Sequence, residues 1–422
     1  MKRAVSVILI SLAMLAGWFP LPAFAQAAVD KPVSVTVDGL PVAFDVPPVI
    51  RNGRTLVPFR AIAEALNVKV SWDGSTRTVS ATDGRTSIRL QIGNKTAYRN
   101  GEPIPLDVPP QVVSGRTMLP LRFFGEAFGC KVAWDETARS VAIASPPKEM
   151  SVIGFYALGD SKTSSWTNLF GRPYPEAAAG NTDAVGELAL GWYSLDREGN
   201  LLTKSRTGWQ RPEGWEKVLE AAKEYNLKPE MVVHVTDGDG TLSALLADEA
   251  ARRTAAAAIL AEARQYQGVN LDFEGLGYQS GGEELASIRG RFTEFVRLLA
   301  EQLRPLGLNL TLTLHAPNSA YKGYDYRSLG EIADRIIIMA YDYGATPEPV
   351  SLVTQAVEMA RAEVSPEKLI LGISAPAETA ESIVTKVGIA KRYGLGGIAL
   401  WRLGLVSGEM WAALRSTVVP RR

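Results

Sequence analysis

Hydrophobic and polar residues follow two different rhythms along this chain, and the change falls near residue 150. From 33 to 144 apolar residues recur at every second position in short runs, as in Val33-Ser34-Val35-Thr36-Val37. Period two is the pattern of half-buried strands. The order of elements then comes twice. Asp45-Val46-Pro47-Pro48 returns as Asp107-Val108-Pro109-Pro110, Gly53-Arg54-Thr55 as Gly115-Arg116-Thr117, and Trp72-Asp73 as Trp134-Asp135. Each offset is 62 residues (107−45, 115−53, 134−72), so the copies align without gaps. Each copy predicts a strand pair (33–37 with 42–45; 88–92 with 96–100), then a Gly-Arg-Thr turn and short strand (56–57; 118–119). A helix (59–66; 121–128) and a closing hairpin (68–72 with 78–81; 131–134 with 140–144) complete it.

Beyond a linker at 146–150, continuous apolar runs alternate with amphipathic stretches. The runs predict strands at 152–156, 187–193, 228–235, 268–272, 309–315, 335–340, 369–373 and 397–400. The amphipathic stretches predict helices at 212–225, 248–266, 282–306, 351–362, 380–393 and 407–414. Residues 166–185, rich in Gly, Pro, Ser and Asn, read as a long loop. Eight strands alternating with helices over residues 151–422 predict an α/β fold, a (β/α)8 TIM barrel, preceded by a small α+β tandem-repeat domain at 32–145.

Composition narrows the function. The chain has 422 residues, with 45 Lys+Arg against 45 Asp+Glu. No basic excess is available for nucleic-acid phosphates. The single cysteine, Cys130, excludes a disulfide within the chain. Its repeat counterpart is Val68, so it reads as core packing. Two histidines, His234 and His315, argue against a multi-histidine metal centre, and no metal or other cofactor is expected. The first residues combine Lys2 and Arg3, an uncharged run over 4–18, and Ala23-Phe24-Ala25. That order predicts a secretory signal peptide at 1–25 and action outside the cytoplasmic membrane.

The chemistry is expected at the C-terminal ends of the barrel strands. The fourth strand reads Asn270-Leu271-Asp272-Phe273-Glu274. Alternation puts Asn270, Asp272 and Glu274 on the lumen side, and Leu271 and Phe273 toward the helices. A neighbouring carboxylate and partial burial should raise the pKa of one member. A carboxylic acid kept protonated near neutrality suits the protonation of a glycosidic leaving group, and Glu274 is expected to be that acid. The other reading of these residues is a polar layer filling the lumen.

Gly268-Val269-Asn270-Leu271-Asp272-Phe273-Glu274 resembles the D-G-x-D-x-D-x-E motif of family-18 glycoside hydrolases. Met339-Ala340-Tyr341-Asp342-Tyr343 resembles that family's M-x-Y-D motif, and Gly396-Gly397-Ile398-Ala399-Leu400-Trp401 its final strand. The resemblance covers 151–418. It implies a retaining hydrolase of β-linked N-acetylglucosamine polymers, chitin-like or peptidoglycan, that uses the substrate's acetamido oxygen as nucleophile. It further implies Glu274 as general acid/base, and Asp272 and Tyr341 acting on the acetamido group. Asp342 and Trp401 would line the sugar site, with Asn270 and Tyr156 as further substrate contacts. Gln267 and Asn270 depart from the motif's aspartates. The G-V-N-x-D-F-E form resembles the subgroup of spore-cortex N-acetylglucosaminidases, which favours peptidoglycan. Only 374–396 separates the last two strands, too little for the extra subdomain of many chitinases, so a shallower cleft is expected there. Residues 32–145 resemble the stalk module named after the N-terminal domain of copper amine oxidases. It suggests a spacer or cell-wall association. No histidine there can serve copper.

Several residues have plainer readings. His234 and His315 read as satisfied lumen residues rather than catalytic ones. Asp237-Gly238-Asp239-Gly240 reads as a turn rather than a calcium loop. Trp72, Trp134 and Trp215 read as core, the arginine pairs Arg54/Arg60 and Arg116/Arg122 as turn-fixing charges, and Trp166, Trp192 and Trp209 as candidates for sugar stacking. The alternative function is a non-catalytic, lectin-like wall protein on the same barrel, or a wall anchor whose main part is the repeat.

Overall fold

The computed structural model describes residues 32–157, 162–205 and 208–422. The expected signal peptide lies outside the described residues. Among them, no helix is long and apolar enough to cross a membrane.

The 62-residue repeat folds as two copies that exchange partners. Strands Arg54–Pro58 and Arg116–Pro120 pair antiparallel with Val57 opposite Leu119. These are equivalent positions, so the pair carries a local two-fold axis. Each strand runs into the expected helix, Phe59–Ala65 or Leu121–Ala127. Around the axis, Arg54 Nε donates to Asp107 Oδ2 at 2.6 Å, and its equivalent Arg116 donates to Asp45. Both ion pairs are exposed, so solvent screening leaves them little weight in stability. The arginines reach across to the opposite copy, and Arg54 Nη1 also donates to the Gly53 carbonyl of its own turn at 3.4 Å. The sheets cross over as well. The first copy's hairpin continues into Ser87–Gln91, Thr96–Arg99 and Glu102–Pro105, while Ser140–Ala144 of the second takes Ser34–Val37 beside it in parallel. Cys130 is buried, and burial pushes its thiol up to about 12, which fits packing. Trp134 packs on this core, but Trp72 is 45% exposed on an edge strand and is not the core residue expected.

The second half is a closed parallel barrel of β1 (Lys148–Tyr156), β2 (Glu187–Leu195), β3 (Lys228–Thr236), β4 (Gly268–Glu274), β5 (Asn309–His315), β6 (Arg335–Met339), β7 (Leu369–Ser374) and β8 (Gly397–Trp401). Pairing of β1 with both β2 and β8 closes it. The helices are α1 (Ser165–Phe170), α2 (Glu216–Glu224), α3 (Thr241–Ala247), α4 (Glu249–Ala263), α5 (Gly282–Leu303), α6 (Tyr326–Ile332), α7 (Val350–Arg361), α8 (Ala380–Arg392) and α9 (Gly408–Thr417). Three of these differ from expectation. The stretch 248–266 begins at α4, because Asp248 caps it by accepting from Ala250 and Ala251, and α3 precedes it. α1 and α6 are too short to show a clear period. The expected linker at 146–150 is largely strand: Lys148–Met150 pair in parallel with Val418–Pro420.

Two layers of apolar packing hold the barrel. Leu271, Phe273 and their equivalents on other strands pack under the helices, while Ile153, Phe155, Val232, Ile337, Ile370 and Ala399 meet in the lumen. The lumen floor is charged. Arg335 reaches Glu187, Glu230 Oε1 at 2.8 Å and Thr311 Oγ1 at 2.9 Å. Above it Thr313 Oγ1 donates to Asn270 Oδ1 at 2.8 Å.

The stalk is seated on α8. Arg392 donates to the Leu40 and Pro41 carbonyls, both at 3.1 Å, and Leu40 inserts into the outer core of the barrel. Lys391 Nζ donates to Ser145 Oγ at 3.0 Å and lies 3.9 Å from the Asp38 carboxylate. The backbones approach so closely that a Cβ at Gly388 would stand 2.6 Å from the Asp38 carbonyl oxygen. Gly388→Ala is therefore a discriminating variant. Helix propensity alone favours it by about 1 kcal/mol, but the clash is expected to unseat the stalk. Small-angle scattering should then show a larger radius of gyration with unchanged helical circular dichroism, and an unaltered scattering curve would contradict this account of the docking.

Candidate active site

The C-terminal end of β4 brings Asp272 and Glu274 to the mouth of the barrel, as period-two alternation requires. Their surroundings differ sharply. Asp272 is 2% exposed, and its Oδ1 meets no hydrogen-bond partner among the described residues. Burial first, then the Glu274 charge, pushes its carboxyl up to about 8 against a smaller opposing pull from His234. Glu274 is half-buried. Burial pushes its carboxyl up too, but the His234 hydrogen bond and the charges of His234 and His315 outweigh that and hold it below the usual range. The two carboxyls are coupled and driven in opposite directions, Asp272 toward its neutral form and Glu274, beside two imidazoles, toward its charged form.

His234 lies two residues before the end of β3, where the register sets it opposite Asp272, and its Nε2 lies 3.3 Å from Glu274 Oε1. His315 ends β5, with Nε2 3.8 Å from Oε2 and its ring stacked on Tyr321 at 4.0 Å between centroids. Reading them as satisfied lumen residues missed this. The available signal was positional: they are the only histidines of the chain, and each lies at or near the C-terminal end of a strand adjacent to β4. His234, Asp272 and Glu274 place one ligand atom each within 4.8 Å of the others, a spacing that a cation could also bridge.

The other expected residues divide. The Tyr341 ring, just past β6, would stand 3.1 Å from a Cβ on Gly372 of β7, so a glycine is needed there. Burial, then Asp272, Glu274 and Asp342, pushes its phenol far up, so it stays a hydrogen-bond donor. Asp342 is exposed at φ 65°, a strained region for a non-glycine residue. The buried Glu348 holds it there, accepting from the backbone N–H of Asp342 at 2.8 Å and of Tyr343 at 3.1 Å. Lys386 of α8 in turn donates to the Glu348 carbonyl at 2.7 Å and pairs with Glu378 at 3.2 Å. Trp401 ends β8 at the mouth, half-buried, 5.3 Å from Phe155 and 5.2 Å from Trp209 between centroids.

Two expected contacts are not at the mouth. Asn270 is fully buried one layer below Asp272 and belongs to the lumen filling. Tyr156 points out of the barrel into the layer under the helices, 6.3 Å from Trp192, because alternation gives the lumen side to Phe155. Of the tryptophans, Trp166 and Trp192 are core and Trp215 packs against it, which leaves Trp209 as the one that joins Trp401. Asp237 and Asp239 form a turn, with Asp237 accepting from Ser243 of α3.

Asp272 binds protons in the folded state that it releases when unfolded. A carboxyl raised from 3.8 to about 8 therefore lowers stability as pH rises through that interval. Asp272→Asn removes the penalty. Its melting temperature should exceed that of the unaltered protein at pH 8, and the gain should vanish near pH 4. A lower melting temperature at pH 8 would contradict the assignment of the proton.

Comparison with known proteins follows the same division. Residues 203–380 match the sequence profile of Glycosyl hydrolases family 18, and residues 36–143 that of the Copper amine oxidase N-terminal domain. A protein of Bacillus subtilis named as a sporulation-specific glycosylase, YdhD, is 34% identical over 124 residues, 27% of this chain and 28% of that one. The chain thus spans under a third of that relative's length. The Cortical fragment-lytic enzyme of Bacillus anthracis is 21% identical over 322 residues, 57% of this chain and 71% of that one. Among solved structures, a chitinase from Chromobacterium violaceum superposes with a TM-score of 0.53 at 19% identity, covering 63% of this chain and 98% of that one. The Bacillus cereus spore cortex-lytic enzyme SleL gives 0.53 at 17%, covering 66% and 76%. These likenesses give the fold of the second half. The chain is thus similar to glycosyl hydrolases family 18 over residues 203–380 of the barrel and to the copper amine oxidase N-terminal domain over residues 36–143.

Proposed function

We propose that the protein hydrolyses β-linked N-acetylglucosamine polymers, with peptidoglycan as the principal substrate, and retains the anomeric configuration. The proton shared by Asp272 and Glu274 at the barrel mouth carries this reading. Glu274 is the general acid and base. Asp272, neutral and buried, cannot attack the sugar as a second carboxylate would. The nucleophile is then the substrate's own acetamido oxygen. Asp272 as a neutral acid and Tyr341 as a donor orient that group, and Trp401 with Trp209 floors the sugar site. The names of the relatives favour the spore or cell wall over chitin. Export through the N-terminal segment and wall association through residues 32–145 belong to the same proposal.

In the reaction Glu274 protonates the glycosidic oxygen while the acetamido oxygen closes on C1. Glu274 then removes a proton from water as it opens the resulting oxazolinium. Glu274→Gln should lower kcat by about 10²–10⁴-fold with circular dichroism unchanged. The readout is mass analysis of fragments from purified peptidoglycan and from chitin oligomers. Near-normal release by this variant would remove the acid from Glu274, and glycan binding without any released reducing end by the unaltered protein would favour a lectin. A thiazoline analogue of the cyclised sugar is expected to inhibit. Robust turnover that ignores it would exclude substrate assistance.

A further inference from the structure

Glu274 carries the chemistry proposed above, yet two imidazoles stand against its carboxyl and favour its charged form. An acid that must donate first needs a source. Asp272 lies deeper and faces no donor at Oδ1. His234 touches Glu274 directly, with Nε2 3.3 Å from Oε1. His315 is farther, at 3.8 Å from the other oxygen, and is pinned flat against Tyr321. His234 also opens onto a cavity of about 600 Å³ rimmed by Asp196, Arg197, Glu198 and Asp239, where Arg197 donates to the Asp239 carbonyl. Among the described residues, Asp272 and Glu274 on β4, His315 beyond Glu274 and this mixed rim are groups that face the ring.

We propose that His234 is a positioning residue that stores, across its contact with Oε1, the proton that Glu274 delivers to the leaving oxygen. The transfer balances. The imidazolium N–H gives its proton to Oε1, and a cation and an anion become a neutral imidazole and a carboxylic acid. Glu274 passes that proton to the glycosidic oxygen as the C1–O bond breaks. In the second half it takes a proton from water, and His234 takes it back. The two histidines are differentiated accordingly. Burial opposes charge on both, but the Glu274 hydrogen bond and the Asp272 and Glu274 charges carry His234 above the ordinary imidazole value, while His315 stays below it. Asn270 sharpens the need. A neutral amide stands where the family motif has an aspartate, and His234 is the group that couples instead to both carboxyls.

The role depends on the hydrolase reading, but the pairing does not, and the chain's two histidines make the pairing directly observable. The full chain, labelled with ¹⁵N-histidine and free of any histidine tag, gives two ring systems, and His315→Gln assigns them. The His234 ring is expected to titrate above the free imidazole value and to fall by about one pH unit in Glu274→Gln. A ring that titrates at the ordinary value and ignores that substitution overturns the proposal. The kinetic arm uses His234→Gln. Without its store, Glu274 must hold the proton on a carboxyl alone. The alkaline limb of kcat should then move to lower pH, with kcat at neutrality falling roughly tenfold or more and KM little changed. A limb that stays or moves to higher pH overturns the storage role. An unaltered protein that releases nothing from any glycan would sink the hydrolase reading, while the ring titration still decides the pairing.

Discussion

An ionised carboxylate inside a closed barrel is costly unless something nearby neutralises or solvates it. That constraint organises the whole lumen. At the floor, Glu187 and Glu230 are held by Arg335. In the middle, the motif's aspartate position holds Asn270, a neutral amide whose Oδ1 accepts from Thr313. At the mouth, Asp272 solves the problem by keeping a proton and Glu274 by meeting two imidazoles. Each level uses a different device, and only the uppermost leaves a proton that can move.

Much of this was legible in the residues. The barrel followed from alternating periods, the repeat from one constant offset, and the Asp272–Glu274 pair from alternation along a single strand. What escaped depended on neighbours distant in sequence. His234 and His315 looked like lining because nothing local ties them to position 274; only strand order does. Tyr156 looked like a mouth residue because it ends its strand, but the phase gives that place to Phe155. The opposite drift of the two carboxyls was not foreseen, since the groups behind it are the same two histidines. Trp209 is among the tryptophans that read as candidates for stacking, and a Cβ on Gly191 of β2 would stand only 2.6 Å from its ring.

The tandem module shows how duplication yields one body. Equivalent residues face each other across the Val57–Leu119 pair, and equivalent arginines reach across to equivalent aspartates. Neither copy closes its sheet alone, so the two are one folding unit despite their clean repeat. The symmetry ends where Ser34–Val37 joins the second copy's hairpin in parallel, and from that end Leu40 leaves to enter the barrel.

Helix α8 serves two masters. Its Lys386 steadies the segment that carries Asp342, and six residues on, Arg392 grips the repeat module. The front half is therefore no loose tether from which a catalytic bead swings. Whatever surface the module grasps would meet the cleft at a set angle, and a trimmed barrel studied by itself would be missing a brace that reaches toward its own sugar site.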